Sequence, residues 1–83
     1  MDVNFLNEGK DVYVLYSCDQ WKSHDSMRTL GVFGSEKSLR KAIKKEVKLD
    51  NFEIDDESRI DKDDLSTLGS VLDYGYFEKF NLQ

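Results

Sequence analysis

From residue 11 the chain runs Asp-Val-Tyr-Val-Leu-Tyr-Ser-Cys, with five apolar or aromatic residues, Val12 to Tyr16, in unbroken succession. Both alternating sets carry apolar groups, Val12, Val14 and Tyr16 on one side and Tyr13 and Leu15 on the other. Segment 11–18 is therefore predicted to be a strand inside a sheet, with one face covered by helices. Residues 26–33, Ser-Met-Arg-Thr-Leu-Gly-Val-Phe, predict a second strand in which Arg28 is the single charge, placed at an edge or facing solvent. The polar stretch 19–25 between them has the length of a wide hairpin loop joining antiparallel neighbours. Upstream, residues 3–6 followed by 7–10 read either as a further short strand and turn or as a frayed end.

Gly34 and Ser35 punctuate the chain, and from Glu36 the period changes. Leu39, Ala42, Ile43 and Val47 recur at spacings of three and four, which predicts a helix over 36–48. Ser35 is its N-cap, Glu36 favours the positive end of the helix dipole, and Lys44, Lys45 and Lys48 favour the negative end. Residues 51–54 alternate like a short strand, and 55–64 form an acidic connection. Leu65, Leu68 and Leu72 then give a second helical stripe, with Asp63 or Asp64 near its start and Gly75 placed to end it. Residues 76–82 alternate and predict a closing strand. The order β-β-α-(β)-α-β describes an α+β domain, a small and mostly antiparallel sheet of three to four strands with two helices on one face.

Composition narrows the function classes. A chain of 83 residues makes one domain, and domains this small bury only about 60% of the surface their unfolded chain exposes. That leaves no mass for a multi-step enzyme with its own cofactor fold, and the residues show no catalytic motif; no enzymatic activity and no cofactor are expected. The lone Cys18 forms no internal disulfide, which points to a reducing, cytoplasmic setting. Apolar runs are too short to span a membrane, and the start Met1-Asp2 lacks the basic and apolar stretches of a signal peptide. One Trp, four Tyr and five Phe supply apolar material for a core, so the chain is expected to fold.

Charge changes the picture more. The formal net charge is −5, from 12 Lys+Arg and 17 Asp+Glu, and it is segregated along the chain. Residues 36–48 hold six bases (Lys37, Arg40, Lys41, Lys44, Lys45 and Lys48) against two acids, whereas 50–64 hold eight acids against two bases. The acidic run reads either as a solvated segment whose carboxylates complement a helix dipole, or as a surface that imitates the phosphate spacing of nucleic acid and competes for a basic groove. Asp61, Asp63 and Asp64 lack the central Gly of a calcium loop, so no metal is expected there. The basic face of 36–48 is read as an ordinary solvated helix face, and the acidic chain as a whole argues against direct binding of nucleic acid.

Loop 18–27 gathers the single Trp, the single His and the single Cys. Cys18, His24 and the nearby Asp19 and Asp25 do not form a known metal or nucleophile spacing. Trp21 is either folded back over the sheet or displayed as an interface anchor, with Lys22 and His24 beside it. Tyr74, Tyr76, Phe77 and Phe80 are expected to serve mostly as core.

In character, this short, acidic, proline-free α+β chain with its carboxylate run from Asp50 to Asp64 resembles small proteins encoded by bacteriophages and mobile elements. The stretch from Tyr13 to Ser23, with Ser26-Met27-Arg28, is similar to hypothetical proteins of Firmicutes phages. Characterised members of that loose group are often inhibitors of host machinery, among them anti-CRISPR proteins. The resemblance implies a non-enzymatic inhibitor of a nucleic-acid-handling host complex, such as a CRISPR effector, acting in the host cytoplasm. The resemblance assigns no residue; the charge pattern and the Trp loop point to Asp55, Asp56, Glu57, Asp61, Asp63 and Asp64 as the contact against a basic groove, with Trp21, Lys22 and His24 as a second contact. The alternative is a small regulatory or assembly module that joins another protein, or a second copy of itself as a dimer, through the Trp21 loop or a sheet edge. Neither reading involves a membrane.

Overall fold

The computed structural model describes residues 10–82, so the segment 3–6 lies outside the described residues. Strands β1 (Lys10–Ser17), β2 (Arg28–Phe33) and β3 (Gly75–Leu82) form one antiparallel sheet in the order β2-β1-β3. Between β2 and β3 run helices α1 (Glu36–Lys48), α2 (Arg59–Lys62) and α3 (Leu65–Val71). The class is α+β, as the patterning predicts. β1 takes the central place that its two apolar faces required.

The strand registers sort side chains by face. Leu15 lies opposite Phe77 on β3 and Gly31 on β2, and Tyr13 lies opposite Phe33. These positions face the helices, where Tyr13 and Leu15 are buried and Phe33 and Phe77 pack against the core. Val12, Val14 and Tyr16 point the other way, opposite Phe80, Glu78 and Tyr76. A bulge in the β1–β2 ladder pairs Leu15 with Gly31 and Tyr16 with Thr29, leaving Leu30 as the extra residue.

Every helix contributes to one core. Leu39 and Ile43 from α1, Ile60 from α2, Leu68 from α3, and Phe52 and Leu72 from the connections close over Tyr13 and Leu15. Helix α1 starts as its cap residue dictates, with the Ser35 hydroxyl accepting from the Ser38 N–H at 3.1 Å. Ser35→Ala is expected to remove about 1 kcal/mol of stability and lower the melting temperature by about 4–8 °C. A melting curve that does not move would show that water satisfies the Ser38 N–H equally well. At the other end Asp50 takes a left-handed conformation, φ 63°, and the N–H groups of Asn51 and Phe52 both donate to the Glu46 carbonyl, at 2.9 and 3.3 Å. This reversal is what carries Phe52 into the core.

The structure corrects several sequence expectations. Residues 51–54 do not form a strand of the sheet; they make a single bridge, Glu53 to Asp73, because the chain there is pinned by the buried Phe52 rather than by a ladder. The acidic connection 55–64 contains α2, whose one buried residue, Ile60, is too little for a visible stripe. The second strand begins at Arg28 rather than at 26, since His24–Ser26 form one 3-10 turn. Gly75 does not end α3, which is capped at Leu72; it opens β3 beneath Phe52, where a Cβ would lie 2.7 Å from the Phe52 ring. Among the C-terminal aromatics only Phe77 packs against the core. Tyr76 stacks on Tyr16 with ring centroids 6.0 Å apart, and Phe80 is exposed, because the strand period turns both away from the helices.

Candidate functional site

Loop 18–27 is built around one carboxylate. Asp19 Oδ1 accepts from the N–H groups of Trp21 at 3.1 Å and Ser23 at 3.0 Å, and Oδ2 accepts from the Ser23 hydroxyl at 2.8 Å. The Asp19 N–H donates to Ser26 Oγ at 3.0 Å, and that hydroxyl donates to the Ser23 carbonyl at 2.8 Å. Lys22 turns the chain with φ 55°, its N–H bonded to the Asp19 carbonyl at 3.0 Å. Such side-chain to backbone bonds are the means by which Asp and Ser replace a ladder in a tight loop. Two further bonds fix the loop to the body: the Cys18 N–H donates to the Tyr74 carbonyl at 3.0 Å, and Lys22 Nζ donates to the Gly69 carbonyl near the end of α3 at 2.6 Å.

The product of this network is the display of Trp21, which is 77% exposed. Of the two sequence readings, folded back or displayed, the structure takes the second. His24, three residues further along the loop, is also exposed. Lys22, by contrast, is half-buried and spends its ammonium on α3; nothing in the local sequence signals that bond, which spans 47 residues. Cys18 is half-buried, and burial pushes its thiol above the usual range, away from thiolate character at neutral pH. Among the described residues no group of three or more His, Cys, Asp or Glu is placed to hold a metal ion.

The carboxylates expected to form an acidic contact surface have structural duties. Asp55 and Asp63 flank Arg59, at 3.1 and 2.7 Å. Asp61 meets Lys44 of α1 at 2.6 Å. Asp64 caps α3 through the Thr67 N–H at 2.7 Å, and Asp56 accepts from both the N–H and the hydroxyl of Ser58 at 2.9 and 2.8 Å. Arg40 of α1 also crosses to α2, donating to the Ile60 carbonyl at 2.7 Å. The two opposite charge runs thus partly neutralise one another inside the molecule. Of the six acids only Glu57 is exposed without a side-chain bond among the described residues.

Backbone hydrogen bonds from Ser23 hold the Asp19 carboxyl below its ordinary value of 3.8, the Ser58 bonds do the same for Asp56, and the Thr67 bonds for Asp64. A depressed carboxylate contributes its stability in full above the ordinary value and loses it as pH falls through the lower folded one. Urea midpoints are therefore expected to stay level from neutrality to about pH 5 and to decline below 3.8. The amide signals of Trp21 and Ser23 should move in the same window. A decline that sets in well above pH 5 would assign acid sensitivity to other groups.

Two grooves adjoin these elements, and neither was legible in the chain. A larger one, about 1110 Å³, lies between α1 and β2, and a smaller one, about 470 Å³, lies where Lys22 and α3 meet Tyr76 and Phe77 of β3. Family models, curated proteins and solved structures give no match to this chain.

Proposed function

We propose that this chain is a non-enzymatic protein-binding module that docks on a partner protein through the Trp21 loop. The observation that supports it is the combination of a Trp exposed at 77% with a loop whose polar groups are bonded to one another and to α3. Leaving a large apolar ring in water is unfavourable, and a pre-ordered loop lowers the entropic cost of association. Trp is also the residue most enriched among interface hot spots. The adjoining groove beside Lys22 offers a recess for a side chain of the partner.

A second reading, inhibition of a nucleic-acid-handling complex such as a CRISPR effector, draws on a smaller acidic tip. Asp55, Asp56 and Glu57 are consecutive and exposed, and the Asp55 side chain is 67% exposed even in its ion pair. In this reading the tip enters a basic groove while Trp21 makes the second contact. Both readings place the chain in a cytoplasmic setting, consistent with its single free Cys18.

A tagged pull-down from nuclease-treated host lysate, eluted by a salt gradient, tests both. Docking through Trp21 predicts a partner that withstands rising salt and is lost with a Trp21→Ala bait. The inhibitor reading predicts release at moderate salt, since contacts between exposed charges are screened, and loss with Asp55→Lys, Asp56→Lys and Glu57→Lys combined. Recovery of the bait alone, with a monomeric mass in solution, would reject both.

A further inference from the structure

The larger groove joins an apolar floor to a rim rich in lysine. Its floor is apolar, with Leu15, Phe33 and Ala42, and Leu30 and Leu49 stand exposed at its sides. Its rim is mostly cationic: Lys37, Lys41, Lys45 and Lys48 line it, none with an ion pair among the described residues, while of the two acids in the lining Asp61 engages Lys44 and Glu46 accepts from the Asn51 side chain at 3.0 Å. A chain of net charge −5 thus concentrates on one groove the helix that holds six of its twelve bases.

The groove also runs beside an open sheet edge. β2 is bonded to β1 on one side, and among the described residues no strand pairs with its other side. Its Leu30 is 44% and its Val32 63% exposed. An apolar, unpaired edge is a template for another strand, and native proteins usually blunt or cover it. Leu30, the extra residue of the bulge, lines the groove.

From this juxtaposition we infer that the β2 edge and the lysine-rimmed groove form a binding site for an extended acidic segment of a partner protein, which adds as a fourth strand. Main-chain bonds to Arg28–Phe33 hold the segment, alternate apolar side chains of the segment enter the groove over Leu30 and Phe33, and its carboxylates meet Lys37, Lys41, Lys45 and Lys48. A single-stranded nucleic acid fits less well. Base stacking needs exposed rings, the exposed side chains here are aliphatic, and Phe33 is packed against the core. No residue of loop 18–27 lines this groove, and binding here does not rest on docking through Trp21.

The test is selection of a random octapeptide display library on the full-length protein, followed by nuclear magnetic resonance titration of the selected peptide. The expected peptides alternate Asp or Glu with Val, Ile or Leu. They shift the amides of 28–33 and 36–48, and they slow hydrogen exchange along β2. Lys41→Glu with Lys45→Glu is expected to weaken binding at least tenfold and Lys41→Gln with Lys45→Gln by less, with unchanged melting curves, while Trp21→Ala leaves it unaltered. Failure to enrich any acidic peptide would overturn the proposal. So would peptides lost with Trp21→Ala but indifferent to the lysine reversals, or a thymidine oligonucleotide that displaces the peptide at lower concentration than the peptide itself requires.

Discussion

Phe52→Ala is expected to destabilise the protein by about 3–5 kcal/mol, the range for deleting a buried aromatic ring. A domain of this size has on the order of 4–12 kcal/mol in total, so the variant should melt at least ~12 °C lower or fail to fold at 37 °C. Phe52 is 1% exposed and sits in a connection rather than in a helix or strand. The reversal at Asp50 brings it in, and it belongs to the same buried cluster as Leu39, Ile43, Ile60, Leu68 and Leu72. Its ring fills the space above Gly75, where an added Cβ would come within 2.7 Å of Phe52 and 2.9 Å of Leu72. Gly75→Ala should therefore cost about 1–3 kcal/mol by overpacking. Because both effects come from the same contact, Gly75→Ala combined with Phe52→Leu should lose less than the sum of the single changes. Urea unfolding of the four proteins decides it, and strict additivity would mean that Gly75 is required for another reason.

Trp21→Ala is expected to do the opposite, leaving stability in place while removing about 2 kcal/mol or more of partner affinity, a loss of ~30-fold or greater. With three-quarters of its surface in water, Trp21 adds little to the core. Asp19→Ala should weaken the same binding by a smaller factor without contacting the partner, since it removes the acceptor for Trp21 and Ser23 and frees the loop. Titration calorimetry against the partner captured in the pull-down, paired with melting curves, separates the cases. A Trp21→Ala variant that melts much lower while binding normally would make the ring a structural lid.

What the chain discloses and what it conceals follow from range. Helix α1 is legible to the residue because its stripe, its Ser35 cap and its flanking charges all act within a few positions. The central place of β1 is legible because a strand apolar on both sides has few other options. By contrast, α2 buries only Ile60, so four residues of helix leave no period to detect. The role of Gly75 depends on Phe52, twenty-three positions away in the chain, and a glycine after a helical stripe reads locally as a terminator. The site shows the same division. A loop with Trp among polar residues is visible in sequence, yet its display depends on Asp19 bonding forward and on Lys22 reaching Gly69 across the fold. The acidic run looks like free charge until its partners Arg59, Lys44 and Thr67 are seen in place. The lysine-rimmed groove has no linear signature, since α1 supplies its rim and β2 its other wall.

The sheet order β2-β1-β3 also governs how the molecule is made. β1 and β2 are neighbours in the chain, and α1 follows at once, so a hairpin with one helix across it can assemble as soon as those residues emerge during synthesis. The other side of β1 has to wait for β3, as the side-chain bond from Asn81 to Asp11, 70 residues apart, illustrates. Loop closure over such a span is slow relative to local contacts. In that interval the half-made sheet leaves one side of its central strand unpaired, the kind of transient edge at which chains associate. Moving β3 ahead of β1 by circular permutation would shorten that interval, and the yield of soluble protein at high expression would measure how much it matters.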